Sequence, residues 1–185
     1  MKKDFGPMPA VFPMPVLMIA TYDEDGTVDV MNAAWGQICD SDMITLALTE
    51  THKTVKNLKK AGAFTVSLAD AGHIEAADFF GIASGNKMAD KFERSGLTAV
   101  RSTRVNAPVI EEFPVTLECE LVECGKYGVI GKIVNVMADE AVLDEKGKID
   151  VTKAGIIMFD QFRNGYYTVG EKVGTAWSTG KGLLK

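Results

Sequence analysis

The feature that most constrains this chain is a long stretch of strict alternation in its second half. Val115, Leu117, Cys119 and Leu121 alternate with Thr116, Glu118, Glu120 and Val122. A period of two over that length describes a strand with one apolar face. The stretch ends at Gly125-Lys126-Tyr127-Gly128, which reads as a turn, and a second extended run follows over residues 129–137. Two long strands joined tightly must lie antiparallel. Residues 15–22 (PVLMIATY) form another apolar run, closed by Asp23-Glu24-Asp25-Gly26, and an extended run resumes at Val28, so a second hairpin is expected there. Residues 43–49 and 63–69 read as further strands.

Helical spacing appears only in the middle. Val55, Leu58 and Ala61 recur at helical intervals with Lys56, Lys59 and Lys60 between them, and Gly62 suits the left-handed residue that closes a helix. A short helix is expected around Ile74 to Gly81. Another is expected over residues 87–94, capped by Asn86, with Met88 and Phe92 on one face and an Asp90–Arg94 pair. Strands joined by tight turns, with the helices gathered centrally, favour a mainly β barrel with attached helices over a parallel sheet. Residues 1–14 read as a proline-punctuated arm, 15–164 as one domain, and 165–185 as a glycine-rich tail that packs on the domain or on a partner subunit.

Composition narrows the function classes. The chain has 185 residues, 46% of them apolar, and a formal net charge of −5. An acidic balance argues against broad binding to nucleic acid or anionic membranes, and no apolar run is long enough to span a bilayer. The three cysteines, Cys39, Cys119 and Cys124, form no Cys-x-x-Cys pair. They read as small buried apolar residues of a reduced, cytoplasmic protein. His52 and His73 do not sit near cysteines, so no zinc pattern is present, and neither a Walker loop nor a dinucleotide fingerprint occurs.

Three segments carry candidate chemistry. In Thr49-Glu50-Thr51-His52-Lys53-Thr54 a strand runs into a helix, and a helix start offers unpaired N–H groups and partial positive charge to a phosphate. Thr54 serves equally as a helix cap in an ordinary amphipathic helix with a solvated lysine face. Ser84-Gly85-Asn86-Lys87 offers a hydroxyl and an amide at a second helix start, where simple capping is the alternative. Met31-Asn32-Ala33-Ala34-Trp35-Gly36 combines an amide, two small residues and a large ring at a strand end. A flat aromatic ligand could approach there, although a core tryptophan beside a turn has the same pattern.

Taken in order, these segments resemble the flavin reductase-like family of FMN-binding split barrels, which includes the flavoredoxins. The resemblance rests on residues 15–21, Asn32-Ala-Ala-Trp35, Thr49-Glu-Thr-His52-Lys53-Thr54, Asn57-Leu58, residues 63–68, Phe80-Gly81-x-x-Ser84-Gly85, Asp90-Lys91-Phe92-Glu93 and Pro114-Val115-x-Leu117-Glu118-Cys119. It implies a Greek-key split β-barrel and an FMN-dependent oxidoreductase, with NADH or NADPH as electron donor. It also implies a homodimer and electron delivery to an acceptor, which could be a redox protein partner. The alternatives are an electron carrier that keeps its FMN and a non-catalytic flavin-binding protein. By the same resemblance His52, Lys53 and Thr54 would hold the FMN phosphate, with Thr49 also among the cofactor-binding residues. Asn32, Ala33, Ala34 and Trp35 would lie beside the isoalloxazine, with Ser84 and Lys91 also near the cofactor. Many family members carry proline, an aromatic residue and then Ser/Thr after the asparagine, whereas Ala34-Trp35-Gly36 stands here.

Overall fold

The structure, a computed structural model, describes residues 1–184. In chain order its elements are β1 (Met14–Pro15), β2 (Leu17–Tyr22), β3 (Val28–Ala33), β4 (Gly36–Asp40), β5 (Met43–Leu46), α1 (Lys53–Ala61), β6 (Ala63–Leu68), α2 (Ile74–Ile82), α3 (Lys91–Ser95), β7 (Ala99–Arg101), β8 (Pro108–Ile110), β9 (Val115–Gly125), β10 (Gly128–Ala138), β11 (Ile157–Asp160) and β12 (Gly165–Thr168). One seven-stranded sheet, in the order β3-β2-β6-β9-β10-β5-β4, curls into a barrel left open between β3 and β4. Its pairings are antiparallel throughout. This is the split, mainly β barrel that the sequence led us to expect. A three-stranded sheet β1-β11-β12 and the β7-β8 hairpin complete the fold.

The interior follows the alternation. Phe64 and Val66 of β6 and Cys119 of β9 point inward, where they meet Leu17, Ile19, Leu46, Val129 and the Val55 and Leu58 side chains of α1. The opposite face of β2 is buried as well. Val16, Met18 and Ala20 join Val30, Ala77, Phe80, Ile110, Phe113 and Ile157 in a second core beneath α2. A strand buried on both faces loses its polar alternation, which is why residues 16–20 read as an unbroken apolar run. The outer face of β9, expected to be solvated, is instead partly covered. Thr116 and Glu118 are buried, and Glu118 accepts hydrogen bonds from Ser102 and Asn135. Thr65 donates to the Pro108 carbonyl (2.6 Å). A buried carboxylate needs such donors, and here they fasten the loop between β7 and β8 to the barrel wall.

Several local expectations change. β4 was not expected; its residues are mostly exposed because it is an edge strand, so no apolar pattern marks it. Cys39 lies on that edge and is exposed. Cys124 is half-buried and Cys119 is buried, with desolvation and then Glu118 pushing the Cys119 thiol up to about 12. The helix expected over residues 87–94 is confined to α3, while Lys87 and Met88 close a turn on the Ser84 carbonyl. The Asp90–Arg94 pair forms, at 2.8 Å. α1 ends as expected on Gly62, at φ 68°. In the C-terminal region, β12 pairs with β11 and Tyr166 packs against the second core. Beyond it, Val173, Trp177, Leu183 and Leu184 stand exposed.

Close packing at Gly131 yields a direct test. A Cβ there would come within 2.4 Å of the Phe64 ring, deep in the barrel. We expect Gly131→Ala to lower stability by about 1–3 kcal/mol, the usual cost of overpacking a core. Urea unfolding should show a lower midpoint; an unchanged midpoint would mean that the ring can move aside.

Candidate functional site

The split in the barrel is where the three candidate segments converge. Asn32 and Ala33 end β3, and Ala34 and Trp35 cross toward β4. The Trp35 carbonyl accepts from the Ala47 amide (2.7 Å), which sets this crossing beside the run into Thr49. Gly81 of α2 sits against Asn32, close enough that a Cβ would stand 3.4 Å from the Asn32 Cβ. The Ser84 to Lys87 turn reaches the start of α1, where Asn86 donates to the Thr51 carbonyl (3.0 Å) and accepts from Lys56 (2.8 Å). Asn86 is thus a bridge between segments and not a helix cap. The indole of Trp35 is 55% exposed, a flat apolar surface beside two small residues instead of a core side chain.

The start of α1 is open. His52 occupies the cap position with extended backbone, and no side chain caps the helix. Among the described residues, nothing accepts from the amides of Lys53, Thr54 and Val55. There is no acidic residue in the first turn. His52 Nε2 lies 3.2 Å from Thr49 Oγ1, which lies 3.3 Å from Thr51 Oγ1. Thr49, Thr51 and His52 are all exposed. This end of the helix therefore offers N–H groups, two hydroxyls and an imidazole, with no carboxylate in its first turn.

The structure turns two expected phosphate ligands the other way. Thr54 is 1% exposed, and its hydroxyl donates to the buried Asp29 carboxylate on β3. Lys53 is ion-paired with Asp23 in the β2–β3 turn; its hydrogen bond to Asp23 holds the ammonium above its usual range, and in return Lys53 holds the Asp23 carboxyl low. Both side chains anchor α1 to the first hairpin, leaving only their backbone amides at the helix start. The spacing already held this signal, since Thr54 precedes buried Leu58 by one helical turn. Ser84 keeps an exposed hydroxyl beside the bridge. Lys91 is 4% exposed, held below the usual lysine range by burial and against that by Asp29. Its ammonium lies 5.7 Å over the Phe80 ring. It lines a crevice with Asp23, Asp29, Lys53 and Gly85.

Sequence reasoning missed Asp29, Asp78 and Tyr166. The Tyr166 hydroxyl donates to Asp78 Oδ1 (2.8 Å), one residue after Ala77, whose carbonyl accepts from Asn32. Burial first, and then the Asp78 hydrogen bond, push that phenol up to about 12. Tyr166 and Asp78 lie 88 residues apart, and no local pattern announces such a pair.

The model of the flavin reductase like domain matches residues 8–164. Among solved structures, the chain is similar to the flavoredoxin of Desulfovibrio vulgaris (Miyazaki F), with a TM-score of 0.94, 36% identity, and coverage of 97% of this chain and 100% of that one. It is also similar to a flavoredoxin from Methanosarcina acetivorans, with a TM-score of 0.90, 25% identity and 99% of each chain covered. An uncharacterized protein of Aeropyrum pernix is 29% identical over 113 residues, which span 60% of this chain and 43% of that protein.

The raised Tyr166 phenol makes a pH prediction. Its folded pKa lies above the ordinary tyrosine value near 10, so the folded state keeps a proton that the unfolded chain gives up. The stability it contributes is complete below pH 10 and is lost as pH rises toward about 12. Urea midpoints should fall across that window, and the fall should be shallower in Tyr166→Phe. Parallel profiles for the two proteins would contradict the assignment.

Proposed function

From the premise that the chain belongs to the flavin reductase-like domain family, we propose that it binds FMN in the barrel split and works as an NAD(P)H-dependent flavin oxidoreductase. The observation that carries this reading is the open start of α1, which follows closely along the chain from Ala47, the residue whose amide donates to the Trp35 carbonyl. A terminal phosphate suits the first, because a helix N-terminus is a ready anion site. A flat ring suits the second, where Ala33 and Ala34 permit close approach and the Trp35 face is available.

In this reading the amides of Lys53, Thr54 and Val55, with Thr49 and His52, hold the phosphate. Asn32, Ala33, Ala34 and Trp35 flank the ring system. Ser84 lies at the rim, and Lys91 supplies positive charge from behind. FMN, when bound, supplies the hydride and electron chemistry, so the protein needs no acid or base of its own. The chain's residues orient the ring, and Trp35 shields one face from water. Electrons then leave to an acceptor, for which a protein partner is a candidate. A second reading is favoured by the 36% identity to a flavoredoxin: an electron carrier that retains its FMN and is reduced by a protein.

The absorption spectrum of the purified protein, followed in rapid mixing with NADH and then NADPH, tests the proposal. Fast bleaching of a flavin band supports the oxidoreductase; a bound flavin that neither nucleotide bleaches favours the carrier; absence of flavin binding rejects both. FMN should bind more tightly than riboflavin. The double variant Thr49→Ala/His52→Ala should lose on the order of 1–3 kcal/mol of FMN binding, the range for hydrogen bonds to a charged group, while riboflavin binding changes little. Equal losses would reject the phosphate assignment.

The same reading includes a cytoplasmic homodimer. Val173, Trp177, Leu183 and Leu184 extend from the barrel without cover, Trp177 at 95% exposure. Apolar side chains on an extended arm suit the surface of a second copy. The exposed free thiol of Cys39 suits a reducing compartment. No helix among the described residues is long and apolar enough to cross a membrane. Light scattering during size exclusion should give twice the chain mass, and removal of residues 170–185 should shift it toward the monomer. A monomer at micromolar concentration with FMN bound would rule the dimer out.

A further inference from the structure

Asp29 stands between two segments of the site. It lies on β3, the strand that ends in Asn32 and Ala33, and is 5% exposed. Its Oδ2 accepts from the Thr54 hydroxyl in the first turn of α1. Its Oδ1 lies against Gly85, in the turn from Ser84 to Lys87. A Cβ at Gly85 would overlap that oxygen and stand 3.1 Å from the Asp29 Cγ. So short a side chain cannot yield to such a Cβ without releasing Thr54, and a carboxylate out of water needs that donor. The seat extends along α1. The Asn57 amide donates to the Thr21 hydroxyl (3.3 Å), and Thr21 is paired with Asp29 across β2 and β3. Thr54 and Asn57 share one face of the helix, so that face is set on the hairpin by polar contacts, and Asp29 reaches the turn as well. Lys53 and Lys91 line the same crevice as Asp29 and offset its charge.

We propose that Asp29 is a positioning residue for the phosphate end of the site. One carboxylate oxygen holds Thr54 and the other stops the turn at Gly85, so a single side chain fixes the gap between the start of α1 and the Ser84 to Lys87 turn. That gap decides whether the free amides of Lys53, Thr54 and Val55 meet an anion together with the Ser84 rim. Asp29 thereby sets the preference for a phosphate-bearing ligand over its uncharged counterpart without touching either. That the anion is the phosphate of FMN rests on the function proposed above; the junction at Asp29 does not.

Two measurements on the full chain test this. The first needs no ligand. Amide hydrogen exchange is followed by NMR at Lys56, which donates to the His52 carbonyl, and at Lys87 and Met88, which donate to the Ser84 carbonyl. Asp29→Ala should speed exchange at both places about tenfold, as local opening does, and leave the amides of the β9–β10 pairing unchanged. Asp29→Asn keeps an acceptor and the same volume and should restore slow exchange. The second is titration with FMN and with riboflavin. Asp29→Ala should weaken FMN about tenfold, in line with a lost contact to a charged group, and riboflavin less than about twofold. Asp29→Asn also removes a negative charge, so its FMN affinity should equal or exceed that of the unaltered chain. Gly85→Ala should weaken FMN on its own and add little in the Asp29→Ala background, where the overlap is gone. If Asp29→Ala fails to fold, Gly85→Ala is read alone, with faster exchange at Lys87 and Met88 and the same loss confined to FMN. Unchanged exchange at either place, equal losses for the two ligands, or an Asp29→Asn that behaves as Asp29→Ala overturns the proposal. A protein that shows the exchange coupling yet binds no FMN upholds the junction and rejects the flavin reading alone.

Discussion

Strand β2 has no solvent-facing side, and the rest of the molecule is arranged around that fact. Leu17 and Ile19 belong to the barrel interior, while Val16, Met18 and Ala20 belong to the core under α2. One strand thus holds two hydrophobic volumes together, with β3 paired on one edge and β6 on the other. A slip of one residue would exchange the two sets of side chains, so the register of β3 is fixed from both sides. Asn32, paired opposite Met18, is therefore placed by packing, and the ends of α1 and α2 are brought to it by the helices that close the two cores.

Charge is organised differently from what a count of lysines suggests. Lys53, Lys59 and Lys60 of α1 are each paired with a carboxylate, from Asp23, Glu50 and Glu24 respectively. The lysine face of the helix is largely neutralised against the acidic first hairpin and the loop before the helix. What is left for an anion at the start of α1 is the helix terminus itself, whose partial charge is fixed in direction and does not depend on a flexible side chain. In a chain of net charge −5, the positive end of this helix is thereby a local feature and not part of a basic surface.

Much of this was legible in the sequence, for identifiable reasons. The β9–β10 hairpin, the apolar run of β2 and the Gly62 terminus of α1 each carry a local signature, because one face or one torsion angle decides them. The family was legible too, as a residue series in a known order. What was not legible depends on distant partners. β4 is an exposed edge whose pairing with β5 replaces any pattern of its own. Thr54 reads as a cap until Asp29, 25 residues away, is brought beneath it. Tyr166 sits in a glycine-rich stretch, and its hydrogen bond to Asp78 follows only once β12 has joined β11. Strand pairing, a long-range interaction, overrides weak local propensity there.

A barrel that is split must keep two edges, and these two are not treated alike. The edge at β3 lies under α2, which packs across it. The edge at β4 carries only Gly36 to Asp40, mostly exposed, with Ile38 and Cys39 among them. Free backbone groups on such an edge are a template for another strand. Its shortness, the flanking Asp40 and Asp42, and the register shift between Ile38 and Asp40 all discourage that pairing. Loss of Asp40 or Asp42 would leave the folded core untouched and still remove a charge that keeps this lip of the barrel from pairing with a second strand.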